Sequence, residues 1–178
     1  PEEGKSTTAA NLGLVFAQQG KRVLLVDADL RKPTIHDTFN VLNTVGLTTI
    51  LVNRSSLANT VLQTSEENLY VLTSGPIPPN PSELLASKAM EERIKEMYSE
   101  YDIVIFDTPP LLTVTDAKII ANRCDGTILV LSSGKTEVDQ AIKAKEILQS
   151  ATGTILGVIL NNVKLKKDKN YYYGENSG

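Results

Sequence analysis

Four short apolar runs stand out along the chain: "VLLV" (Val23 to Val26), "IVIF" (Ile103 to Phe106), "TILVL" (Thr127 to Leu131) and "ILGVIL" (Ile155 to Leu160). A fifth, "LYVLT" (Leu69 to Thr73), resembles them. None alternates apolar with polar residues, as a half-exposed antiparallel strand would. Continuous β-branched runs suit strands buried on both faces, which means a parallel sheet with helices on each side.

Helical stretches lie between the runs. The first begins at Ser6, carries Ala9, Leu12 and Phe16 on one face, and ends at Gly20, a residue suited to the left-handed position after a helix. "KTEVDQAIKAKEILQSATG" (Lys135 to Gly153) repeats that design with Val138, Ala141, Ile142 and Leu148, and again stops at glycine. "SELLASKAMEERIKEMYSEY" (Ser82 to Tyr101) predicts one or two helices entered through the proline-rich "GPIPPNPS". Strands alternating with helices give an α/β fold with a doubly wound, mostly parallel sheet and helices on both faces. There is no internal repeat or interdomain linker. The last stretch, "KLKKDKNYYYGENSG", has almost no aliphatic residues and reads as a mobile tail.

Composition narrows the class. The 178 residues are 41% hydrophobic and 22% charged, with a formal net charge of -3, which suits one soluble domain and argues against general nucleic-acid affinity. A single cysteine, Cys124, excludes an internal disulfide, and no metal-type cysteine spacing is present. Within the residues shown, no apolar run approaches the roughly 18 residues of a membrane span, and no signal peptide begins the chain. These features predict a cytoplasmic chain.

The chemistry gathers where strands end. In open parallel sheets ligands bind at the carboxyl ends of the strands. "VLLV" runs into Asp27-Ala28-Asp29, "IVIF" into Asp107-Thr108-Pro109-Pro110, and "ILGVIL" into Asn161-Asn162. These groups are expected to converge near the start of the Ser6 helix, where "EEGKST" matches the back half of G-x-x-x-x-G-K-[ST], whose first glycine would lie before Pro1. Free N–H groups, a positive dipole end and an ammonium there would face an anion. Lys5 would reach the β- and γ-phosphates, Ser6 would give a hydroxyl to Mg²⁺, and Asp107 would hold the ion through its water shell. Alone, "EGKST" is equally a capped helix start with a solvated lysine. Alternation sends the Asp27 and Asp29 carboxylates to one side, so one can serve the metal's shell while the other accepts a proton from an attacking hydroxyl. The alternative is a strand-end turn that uses both for local capping. Arg31 and Lys32 either neutralise phosphate or an acidic peptide, or are solvated charges. His36 is read as a surface residue and Cys124 as packing.

In order, "EGKSTTAANLG", "LLVDADLRKP", "LTSGPIPPNPSELL", "DIVIFDTPP", "VTDA" and "GVILNN" resemble the cytoplasmic domain of bacterial protein-tyrosine kinases of the capsule and exopolysaccharide type, over essentially the whole chain. The resemblance implies a P-loop kinase domain over residues 1–163 and a tyrosine-rich tail over 164–178. It implies a Walker A motif at Gly4, Lys5, Ser6 and Thr7, a Walker A′ motif with Asp27 and Asp29, and a Walker B acid at Asp107. Asn161 would contact adenine, and Asp116 falls at a position near the switch after Walker B. ATP and Mg²⁺ are the implied cofactors, and Tyr171, Tyr172 and Tyr173 the implied autophosphorylation sites, entered between subunits. Each phosphate there adds about -1.5 to -2 charge, enough to repel the tail from an acidic or phosphate-filled site. Without the resemblance, a sticky aromatic tail packed on its own sheet edge is the plainer reading. Implied partners are a membrane-embedded activator or polysaccharide co-polymerase domain, separate or fused, further copies in a ring, and a cognate tyrosine phosphatase. That places the domain at the inner face of the membrane. The family's upstream helix, with its acidic-and-arginine oligomerisation motif, would precede Pro1, and Glu2 stands where many relatives have glycine.

Three functions compete on these residues. The first is an ATP:protein-tyrosine phosphotransferase that regulates polysaccharide synthesis and export. The second is a nucleotide-switch ATPase of the partitioning and division-site type, whose extra P-loop lysine would fall just before Pro1. The third is a non-catalytic scaffold of a polysaccharide-export complex that uses ATP structurally.

Overall fold

The computed structural model of the chain describes residues 4–164. In chain order the elements are α1 (Lys5–Gln18), β1 (Val23–Asp27), α2 (Ile35–Phe39), α3 (Leu47–Leu51), α4 (Leu57–Thr60), β2 (Leu62–Gln63), β3 (Leu69–Leu72), α5 (Pro81–Ala86), α6 (Lys88–Glu100), β4 (Ile103–Asp107), α7 (Asp116–Ala121), β5 (Gly126–Ser132), α8 (Val138–Gln149) and β6 (Thr154–Asn161). All five apolar runs are strands. The stretch from Ser82 to Tyr101 is two helices, parted at Ser87, whose hydroxyl accepts from Met90 N and caps the second.

The strands form two sheets rather than one. The first has the order β2-β3-β1-β4, with β1 parallel to both β3 and β4 and the short β2 antiparallel at the edge; the second pairs β5 with β6 in parallel. Only β1 is buried throughout; β4 is mostly half-buried and β6 alternates between exposed and half-buried. Strands β4 and β5 both line a cavity of about 870 Å³, together with Leu12 and Phe16 of α1, Leu112 and Ile120.

The core is built on β1. On one face Leu24 and Val26 join Leu47, Ile50, Leu85, Met90, Ile94 and Met97, so that α3, α5 and α6 cover this side. On the other face Val23 and Leu25 meet Ala9, Ala17, Ile35, Leu69 and Val71. Each fully buried leucine of this kind contributes about 1.5–3 kcal/mol of transfer free energy. Helix α1 lies close because its sheet-facing stripe is small: Ala9, Gly13 and Ala17 are the buried residues, and a Cβ on Gly13 would stand 3.2 Å from Leu69 Cδ1. Leu12 and Phe16, expected on that stripe beside Ala9, face the cavity instead. Likewise α8 buries Ala144 and Leu148, while Val138 and Ile142 line an open apolar groove against β5 and β6. Cys124 packs against the main core, and its thiol is pushed up to about 11, first by burial and then by the Asp125 charge, so it is inert packing.

Candidate active site

The strand ends converge as their order demands. Asp27 and Asp107 are paired in register at the carboxyl ends of β1 and β4, and Ala28 N donates to Asp107 O at 2.8 Å. Both side chains are buried. Burial raises the Asp27 pKa to about 7, the neighbouring Asp107 charge raising it further against three backbone hydrogen bonds that lower it. Burial also raises the Asp107 pKa, opposed by a hydrogen bond from Ser6 and by the Lys5 charge. The start of α1 is therefore against this pair.

Gly4 precedes α1 with φ +80°, a left-handed conformation that glycine adopts without strain. A Cβ there would lie 2.0 Å from Asn161 Nδ2, so the end of β6 presses directly on the loop. No side chain caps α1 and no acid lies in its first turn, which leaves the helix start electropositive. Ser6 sits between two elements: it bonds Asp107, and it accepts from Thr34 Oγ1 at 3.0 Å. Thr7 is exposed.

The loop after β1 is folded on its two aspartates. Asp27 Oδ2 accepts from Thr34 N and Ile35 N, both at 3.0 Å, and Oδ1 accepts from Asp29 N at 3.2 Å. Asp29 Oδ1 accepts from Arg31 N and Lys32 N, at 3.1 and 2.9 Å. Both carboxylates do hold the turn, as the capping alternative required. Asp29 is nonetheless half-exposed, whereas Asp27 is fully enclosed.

Arg31 takes neither of the courses its sequence suggested. Its guanidinium is bound to the buried Asp116, Nε to Oδ2 at 2.9 Å and one terminal nitrogen to Oδ1 at 3.2 Å. The same nitrogen donates to Ser82 Oγ, and that hydroxyl donates to Asp116 Oδ1 at 2.6 Å. Burial would raise the Asp116 pKa, but the bonds from Arg31 and Ser82 hold it below the usual carboxylate value. Lys32 is exposed. His36 is a second departure: its side chain is 24% exposed and its Nδ1 is buried without a hydrogen bond among the described residues. Thr34 escaped the sequence reading, although "RKPT" places a hydroxyl two residues after Lys32. Tyr171, Tyr172 and Tyr173 lie outside the described residues.

The donor set suits a hard divalent cation. Two buried carboxylates with raised proton affinity and a serine hydroxyl offer oxygen only. Among the described residues no three His, Cys, Asp or Glu side chains gather to hold a metal by themselves, so the remaining ligands would be water and phosphate oxygens.

The family model described as "AAA domain" matches residues 3–139. The chain is 60% identical over 175 residues to "Tyrosine-protein kinase YwqD" of Bacillus subtilis (strain 168), covering 98% of this chain and 74% of that protein. It is 41% identical over 170 residues to "Putative tyrosine-protein kinase CapB" of Staphylococcus aureus, covering 96% and 75%. Among solved structures, the kinase domain of Escherichia coli tyrosine kinase ETK superposes with a TM-score of 0.89 at 34% identity, covering 99% of this chain and 69% of that one. The septum site-determining protein MinD of Pyrococcus horikoshii OT3, complexed with Mg-ADP, superposes with a TM-score of 0.75 at 26% identity, covering 90% and 65%. The strand-end acids, the glycine-lysine-serine start of α1 and this likeness along nearly the whole length agree: the chain belongs to the bacterial tyrosine-protein kinases, on the P-loop α/β fold they share with MinD.

Proposed function

We propose that the chain transfers the γ-phosphoryl group of ATP to tyrosine, including Tyr171, Tyr172 and Tyr173 of a neighbouring copy, in a capsule or exopolysaccharide system. The observation that carries this reading is the buried pair Asp27 and Asp107, in register and set against Ser6 and Lys5 at the start of α1.

Gly4, Lys5, Ser6 and Thr7 would receive the phosphates through backbone N–H groups, ammonium and hydroxyls, with Asn161 against the adenine. Ser6, Asp27 and Asp107 would hold Mg²⁺, which when bound neutralises charge on the β- and γ-phosphate oxygens. Asp27 already accepts three backbone N–H bonds and is enclosed, so Asp29 is the acid that meets an incoming phenol. Asp29 takes the phenolic proton as the tyrosyl oxygen bonds to the γ-phosphorus, while the bond to the β–γ bridging oxygen breaks and ADP leaves. A polysaccharide co-polymerase domain at the inner face of the membrane is the partner that fits this family, with further copies in a ring and a phosphatase to reset the tail.

Phosphopeptide mass spectrometry on the full-length protein with Mg-ATP, beside Lys5→Met, tests this. Phosphate on the tail tyrosines that vanishes in the variant supports it. Clean tail peptides with Lys5-dependent release of free phosphate would replace it with the switch ATPase that the MinD likeness keeps in play.

A further inference from the structure

Arg31, Asp116 and Ser82 are distant in sequence and come from three elements: the loop after β1, the first turn of α7 and the first turn of α5. Helix α7 is the first element after the loop that leaves Asp107, residues 108–115. The arginine therefore bridges the two strand-end loops of the site, one carrying Asp29 and the other following Asp107. Its backbone N–H is already held by Asp29 Oδ1, so main chain and side chain of one residue reach the two loops at once. Leu30, the residue between Asp29 and Arg31, is fully buried in the core.

The pairing is not a loose surface contact. Asp116 is 0% exposed, and the fork of the guanidinium meets both of its oxygens while Ser82 closes the third side. A buried carboxylate stripped of such partners is strongly disfavoured, so Arg31 is committed to it rather than available to phosphate.

We propose that Arg31 is a positioning residue: through Asp116 and Ser82 it locks the loop after β1 to the loop after β4 and so fixes where Asp29 stands relative to Asp107. It rests on the kinase reading of the site. Lysine cannot replace arginine in this role, because one ammonium cannot satisfy both carboxylate oxygens and the Ser82 hydroxyl in a planar fork. A positioning defect shows in turnover, since a shift of about 1 Å in a reacting group can cost roughly 100-fold, whereas nucleotide affinity depends on the α1 start.

The test is steady-state tyrosine phosphorylation by the full-length protein carrying R31K, R31A, S82A or the neutral pair R31M/D116N, with D29A and K5M beside them. R31K and R31A are both expected to lower kcat by about 10- to 100-fold with KM for ATP changed less than about twofold, and S82A to lower it less. The neutral pair leaves no unpaired buried charge, so it reports the same loss in kcat even if R31A fails to fold. Wild-type kcat in R31K, wild-type kcat in the folded neutral pair, or a raised KM at unchanged kcat would each overturn the proposal, the last by placing Arg31 on the nucleotide. Phosphorylation that survives in D29A and K5M would instead sink the kinase reading of the site, whatever the Arg31 variants do.

Discussion

Asp27 and Asp107 end adjacent parallel strands in register, two carboxylates buried side by side at the positive end of α1. Neither can ionise cheaply without a cation between or beside them. The geometry is thus incomplete in a defined direction: it stores proton affinity that a metal and its phosphate ligands would replace.

That relationship fixes a pH dependence. The Asp27 pKa is raised from 3.8 to about 7, so the folded chain holds a proton that the unfolded chain has released. Stability from this group is fully present below pH 3.8 and is lost as pH rises toward about 7, a change on the order of 4 kcal/mol as an upper bound. Urea melts of the ligand-free chain between pH 4 and 8 should show this decline, and Asp27→Asn should flatten it. An unchanged slope in the variant would remove Asp27 as its source.

Gly4→Ala should abolish nucleotide binding. The new Cβ would meet Asn161 Nδ2 at 2.0 Å, and φ +80° would cost about 1 kcal/mol or more for a residue with a Cβ. Pairing it with Asn161→Ala relieves the collision but not the backbone strain. Calorimetric titration with ADP should therefore find the double variant still weaker than Asn161→Ala alone.

Leu30→Ala should link stability to turnover. The side chain is fully buried beside Asp29, so truncation should cost about 2–5 kcal/mol in denaturant unfolding. At a temperature where the variant remains folded, kcat should still fall, because the loop carrying Asp29 has lost its anchor. Full kcat in a destabilised but folded variant would separate the core from the site.

Gly46→Ala probes the fold away from the site. Its backbone is extended, so conformation is not the constraint; space is. A Cβ would stand 2.2 Å from Gly75 N, which donates to Asn43 Oδ1, and 2.3 Å from Thr73 O, which accepts from Leu47 N and holds α3 against the end of β3. Overpacking of this kind costs typically 1–3 kcal/mol or more, readable as a lowered Tm.

The strands were legible because burial writes itself as unbroken apolar runs, and the site because each run ends in an acid or amide. The helices α2, α3 and α4 were not. Each is five residues or fewer, too short to show a period, and α3 is held by long-range bonds such as Leu47 N to Thr73 O. Arg31 and Asp116 lie 85 positions apart, and nothing local marks them as partners. The expected helix stripes misled in part because α1 packs through Ala9, Gly13 and Ala17, where close approach matters more than side-chain size. The two-sheet division had no signal at all in the apolar runs.

That division has a consequence for handling the protein. Among the described residues β4 pairs only with β1 and β5 only with β6, so each leaves one edge without a strand partner, bordering an apolar slot. An edge of this kind does not distinguish the strand that would complete it from the strand of a stranger. Self-association of this segment at high concentration would then be seeded at Ile103–Asp107 and Gly126–Ser132, and blocking either edge would matter more to its solubility than any change of surface charge.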